Sequence, residues 1–221
     1  MPTPSESRRA LQLVTGEAVS TAGALAVQLN GSPELRRAAL LETVPDLIGY
    51  YADGSAALAA DFYEEQRELA GAPGGFTPEL VLVDRTVKIR RAVAWASEPW
   101  FQELDVSVES RLAEVVQLEV ARGYRDTITS NQRQDPEAVG WRRITSGTGC
   151  KMCRMLADRG AVYKADTARF ATHPACSCTA QPVFGVNDAG VEASAFQYLA
   201  SRRSRTPEQR ASLRDYLNSY Y

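Results

Sequence analysis

The stretch Gly147–Ala180, GTGCKMCRMLADRGAVYKADTARFATHPACSCTA, holds all four cysteines of the 221-residue chain and its one histidine. Its reading decides whether the second half of the chain continues as long helices or becomes a separate small lobe. Cys150 and Cys153 form a C-x2-C pair. Nineteen residues follow, and then His173, Cys176 and Cys178 close the window as H-x2-C-x-C. A C-x2-C turn offers two thiolates from one knuckle, and a second short cluster offers the rest of a tetrahedral set, which suits structural zinc. Five candidates, Cys150, Cys153, His173, Cys176 and Cys178, compete for four places. The favoured set is Cys150, Cys153 and His173 with either Cys176 or Cys178. Disulfides, a redox-active C-x2-C pair and unligated thiols packed as small hydrophobes are the other readings. A reducing compartment disfavours the first, and the loop-like "ITSGTG" ahead of Cys150 disfavours the second.

Working outward, the texture changes at Gly140. From there to Phe184 the large apolar residues are few: Trp141, Ile144, Met155, Leu156, Val162, Tyr163, Phe170, Val183 and Phe184. A segment of that size with so thin a core is marginal alone. A metal would close the loop from Cys150 to Cys178 and pin it. Trp141 and Phe170 are expected in the core. "AVYKA" (161–165) and "TAQPVF" (179–184) read as short strands.

Upstream, helical periodicity dominates. Leu11, Val14, Ala18, Ala22, Leu25 and Leu29 recur at three- and four-residue steps, which predicts a helix over about 5–30. "NGSPEL" then ends one helix and starts another, with Gly31 as a C-terminal cap, Ser32 as an N-cap and Pro33 at the first helical position. A second helix follows, bent near Pro45, and "GAPGG" (71–75) reads as a hinge or linker. Helical character resumes over 77–100, although "LVLV" (80–83) has strand composition, and again over 105–127. "SNQRQDPEAVGW" (130–141) is expected to break it. Past Gly190 helix returns, and "TPEQ" (206–209) is a capping box ahead of a final helix. The expected class is α+β, mainly α-helical: a helical region over 1–130, a small Cys/His-containing α+β module over 131–185, and a C-terminal helical tail over 186–221.

Composition sets limits. Hydrophobic residues make up 44% and charged residues 24%, with a formal net charge of −2, as in ordinary globular proteins. The chain has no overall basic bias, so nucleic-acid contact would need a local patch. Arg142, Arg143, Lys151, Arg154, Arg159, Lys164 and Arg169 enrich the cysteine window in positive charge, and Arg202, Arg203 and Arg205 form a second group. They read as a solvated face or as a contact for DNA or an acidic protein surface. No uninterrupted apolar run of about 18 residues occurs, and the start lacks a signal-peptide pattern, so neither a membrane span nor export is expected.

Catalytic readings fare less well. Zinc deaminases use H-x-E followed by P-C-x2-C; here Ala175 stands two residues after His173, and the C-x2-C lies upstream. A hydrolase with Cys150 or Cys153 as nucleophile would need His173 as its base, and nothing nearby orients that ring. No enzymatic activity is expected.

With those residues in hand, "GCKMCRMLADRGAVY", "HPACSC" and "TAQPVF" resemble the Mu F-like head morphogenesis family, minor capsid proteins of tailed bacteriophages. The stretch "DTITSNQRQDPEAVGWRRI" ahead of them is similar to the lead-in of that module in phages of actinobacteria. The likeness covers about 122–184. Ser177 stands where the family often has arginine. The resemblance implies a virion component in the capsid interior or at the portal vertex, assembled in the host cytoplasm. It implies contact with the portal protein and other head proteins, several copies around the portal ring, a role in head assembly and in DNA packaging or ejection, and contact with packaged DNA. The alternative from the residues is a zinc-ribbon module that binds nucleic acid, and a small Cys/His hydrolase is the third reading.

Overall fold

The computed structural model describes residues 3–146, 149–158, 170, 176–185 and 206–221. Four helices build the body: α1 (Pro4–Gln28), α2 (Pro33–Leu69), α3 (Thr86–Ala96) and α4 (Val108–Gln134), with a short 3-10 turn at Glu98–Trp100. A two-stranded antiparallel sheet, β1 (Gly140–Ile144) and β2 (Thr179–Val183), follows with α5 (Lys151–Ala157) between its strands and α6 (Pro207–Tyr220) at the end. This is the mainly helical α+β architecture that the sequence pattern implies.

Local chemistry sets the helix ends. Thr3 caps α1 through the Glu6 amide, and the Glu6 carboxylate returns to the Thr3 amide at 2.7 Å. Gly31 takes a φ of 105°, which only glycine adopts without strain, and Ser32 then caps α2. Thr206 and Gln209 make the expected capping box on α6. α2 runs through Pro45 as one helix from Pro33 to Leu69.

Two adjoining clusters form the core, and α4 belongs to both. The first joins Ala18, Ala22 and Ala26 of α1, Leu40, Val44 and Ile48 of α2, Ile89 and Val93 of α3, and Leu112, Val116 and Val120 of α4. Alanines at four-residue steps let α1 lie close to its neighbours. The second cluster joins Leu11, Phe62, Tyr63, Tyr124 and Ile128 to Trp141 and Ala180 of the sheet. It fastens the small lobe to the helical body, and Trp141, 1% exposed, is its largest buried side chain, as the sequence reading expected. Pro182 lies opposite Trp141 in a sheet whose two strands are both edges, the setting in which sheets tolerate proline.

Several expectations need correction. "LVLV" forms no strand: no described strand lies beside it. Instead the Asn131 side chain bonds both Glu79 N and Glu79 O at 2.8 Å, and Thr127 Oγ1 accepts from Val81 N at 3.1 Å, strapping the segment along α4. Helix does not begin near 77 but at Thr86. α4 does not stop at 127, because Thr127, Asn131 and Gln132 are buried and find partners or packing inside; it ends at Gln134, two residues before Pro136. The "GAPGG" turn is tied down and not left as a hinge. The Arg67 guanidinium, paired with buried Asp135 at 3.0 Å, also donates to the carbonyls of Ala72, Pro73 and Gly74. Strand β1 at Gly140–Ile144 was not expected. α1 is by length and composition long and apolar enough to cross a membrane, although polar residues interrupt its apolar run; in this fold its Leu11, Ala18, Ala22 and Ala26 are buried. "AVYKA", the residues past Gly190 ahead of α6, and Arg202, Arg203 and Arg205 lie outside the described residues.

Candidate metal centre

The sheet and α5 position the sulfurs. After β1 the chain turns through Thr145 and Ser146 and re-enters at Gly149, whose amide donates to Ser146 O at 2.9 Å. A Cβ on Gly149 would meet Thr145 Oγ1 at 2.3 Å, so the turn closes only around glycine there. Cys150 then caps α5, its sulfur accepting from the Cys153 amide at 3.4 Å. Cys153, one helical turn on, is buried. From the other side, Cys176 and Cys178 arrive immediately ahead of β2, and both are buried.

The sulfurs of Cys153, Cys176 and Cys178 all lie within 4.8 Å of one another. Cys153 and Cys176 stand 3.7 Å apart. None of the four cysteines is in a disulfide. A tetrahedral ion with metal–sulfur bonds of ~2.3 Å separates its sulfurs by ~3.8 Å, so the observed spacing fits two corners of such a site. Both Cys176 and Cys178 join Cys153, where the favoured ligand set took only one of them. One corner is then left for Cys150 or His173. Cys150 is exposed and stands outside the trio; His173 lies outside the described residues. Three buried soft donors thus fit a zinc ion, and Cys153, Cys176 and Cys178 are the residues that could hold it.

The electrostatics agree with a thiolate-bearing trio. Hydrogen bonds from Cys153 and Cys178 push the Cys176 thiol well below its ordinary range, and the Arg125 guanidinium adds to this. The same hydrogen bonds, with burial, push Cys153 up. For Cys178 the bond from Cys153 lowers the thiol, but the bond it gives Cys176 and its burial outweigh that and raise it. Its sulfur also lies 3.4 Å from Thr145 Oγ1, a contact that lowers the thiol a little.

Around the sulfurs, Phe170 packs on the trio and stacks on Trp141 with ring centroids 5.2 Å apart. Arg143, 3% exposed, lies 3.9 Å over the Phe170 ring. Arg142 donates to Gln181 at 3.0 Å, and Gln181 reaches Gln66 of α2 at 2.6 Å. Lys151 bonds Asn218 of α6 at 2.8 Å, and Arg154 bonds the Tyr221 carbonyl. The basic residues of this window that the structure describes thus have partners within the chain, while Lys151 stays exposed, as the solvated-face reading expects.

Sequence reasoning missed Arg125, which donates to the carbonyls of Cys178 and Cys176 at 3.0 and 2.6 Å. A signal was present. Ala121, Tyr124 and Ile128 mark the buried stripe of that helix, and Arg125 sits within it.

The protein family described as VG15 protein matches residues 3–201. No curated protein and no solved structure matches the chain.

Proposed function

The chain belongs to the VG15 protein family, a family of phage gene products, and on that premise we propose that it is a structural minor capsid protein of a tailed phage. In this reading it sits at the portal vertex or in the head interior, in several copies, against the portal protein and other head proteins. It supports head assembly and DNA packaging or ejection, and it performs no catalysis. The likeness of its Cys/His window to the Mu F-like module supports the finer assignment. Zinc, when bound, would supply a tetrahedral cross-link between the α5 knuckle and the chain entering β2.

One observation carries the structural reading. The polar groups around the sulfurs are spent on joining elements to one another: Arg125 to the Cys176 and Cys178 carbonyls, Gln181 to Gln66, Lys151 to Asn218. Such a lobe is built to hold its place on a helical body. The nucleic-acid reading loses support because Arg142, Lys151 and Arg154 each bond another residue of the chain. The hydrolase reading loses support for Cys153, whose thiol is raised by hydrogen bonds with Cys176 and Cys178 and by burial, the opposite of what a nucleophile needs.

The test is quantitative mass spectrometry of purified virions. The chain at a low copy number, comparable with that of the portal protein and co-purifying with it from disrupted heads, is the expected result. Its absence from virions, with abundance only in the infected-cell lysate, would refute the assignment.

A further inference from the structure

We propose that Arg125 is the positioning residue and counter-charge of the cysteine centre, fixing from α4 the backbone that carries two of its three sulfurs. The inference rests on the reading of that centre as a metal site.

Arg125 is 2% exposed. A guanidinium stays charged in proteins, so burying one demands both hydrogen-bond acceptors and compensating negative charge. Its acceptors are the carbonyls of Cys178, at 3.0 Å from Nε, and Cys176, at 2.6 Å from Nη2. Among the described residues no carboxylate stands within ion-pair distance of it, whereas Arg67, another buried arginine, has Asp135 at 3.0 Å. The Arg125 guanidinium also lies 5.2 Å from the Phe170 ring, which packs on the same sulfurs.

The geometry explains why arginine is needed. Two parallel donors on one rigid plane grip the carbonyls on either side of Ser177. That grip fixes the turn in which Cys176 and Cys178 share one direction. Lysine would keep the charge but offer a single flexible point in place of the fork. A metal held by three or four thiolates carries net negative charge, so the centre and Arg125 neutralise each other in a site that excludes water. Outer partners of this kind change metal affinity by ~10–100-fold when removed.

The experiment uses the full chain and zinc alone as the ligand. Zinc Kd is measured by competition with a chromophoric chelator, and cobalt is substituted to follow the thiolate-to-cobalt charge-transfer band. Arg125→Met keeps most of the volume and removes both the charge and the donors. Arg111→Met makes the same chemical change on the same helix, about 21 Å away along its axis, and serves as the control for general destabilisation. Arg125→Met is expected to raise the zinc Kd by ~10–100-fold and weaken or shift the cobalt band. Arg125→Lys is expected to fall between it and the unaltered chain, and Arg111→Met to leave both readouts in place. A folded Arg125→Met that binds zinc as tightly as the unaltered chain overturns the proposal. Should that variant fail to fold, Arg125→Lys decides: an unchanged Kd overturns the proposal and a raised one supports it. If the unaltered chain itself binds no zinc, it is the metal reading that fails.

Discussion

Gly123 gives the sharpest test of how the two longest helices meet. Replacing glycine by alanine inside a helix ordinarily stabilises it by about 1 kcal/mol. Gly123, however, lies where α4 crosses α2. A Cβ built there would sit 2.4 Å from Ala52 O, a backbone atom, and 2.7 Å from Ser55 Oγ. Ordinary contact begins at 3.4 Å, so the helices would have to separate by about 1 Å in a close-packed core. Ser55 cannot simply turn aside, because its hydroxyl donates to Val120 O at 2.6 Å. Overpacking of this kind costs ~1–3 kcal/mol, enough to reverse the propensity gain. Gly123→Ala is therefore expected to lower Tm by a few degrees, at ~2–4 °C per kcal/mol for a chain of this size. Gly54→Ala on α2, where nothing lies within 4 Å, is the matched control and should raise it. The assay is thermal unfolding followed by circular dichroism under one buffer. Equal stabilisation by both substitutions would refute the described approach of α2 to α4.

Other outcomes follow from buried charge and from the sulfurs. Asp135→Asn removes the carboxylate that accepts from Arg67 and from the Tyr63 hydroxyl; leaving Arg67 buried without its counter-ion should cost ~3–5 kcal/mol, read by urea denaturation. Glu119 is held below its ordinary value of 4.5, because bonds from Lys88 and Arg85 outweigh the burial that opposes them. Its contribution is thus present above pH 4.5 and lost as pH falls through the lower folded value; Glu119→Gln should flatten that part of an acid-unfolding curve. Removing metal with a chelator reopens residues 153–176, a loop of 24 residues, and chain entropy alone makes that worth about 3 kcal/mol; chelation should lower Tm, and added zinc should restore it.

The helical body was legible because its signals are local. The alanine and leucine spacing of α1, the Gly31–Ser32–Pro33 boundary and the Thr206 capping box each need only neighbours in sequence. The extent of α4 was not legible, since the polar run Thr127–Gln134 looks like a loop until Glu79, Val81 and Asp135 are placed beside it. Nor was strand β1, whose residues Trp141, Arg142 and Arg143 have little strand signature until Thr179–Val183 pairs with them from about forty positions away. In the site, the cysteine spacing pointed to convergence of sulfurs. It did not distinguish among five donors; and although the buried stripe of α4 marks Arg125 as an enclosed charge, its target fifty-one residues on, Cys176, is set by tertiary packing alone.

The claim on which the rest depends is that Cys153, Cys176 and Cys178 hold a metal that ties α5 to the chain entering β2. Metal analysis of the purified full chain, with thiols counted before and after denaturation, tests it most directly. About one zinc per chain, with the three buried thiols unreactive until the chain is unfolded or chelated and all four reactive afterwards, is the expected result. A metal-free chain that binds no added zinc and keeps the same Tm with chelator present would contradict it.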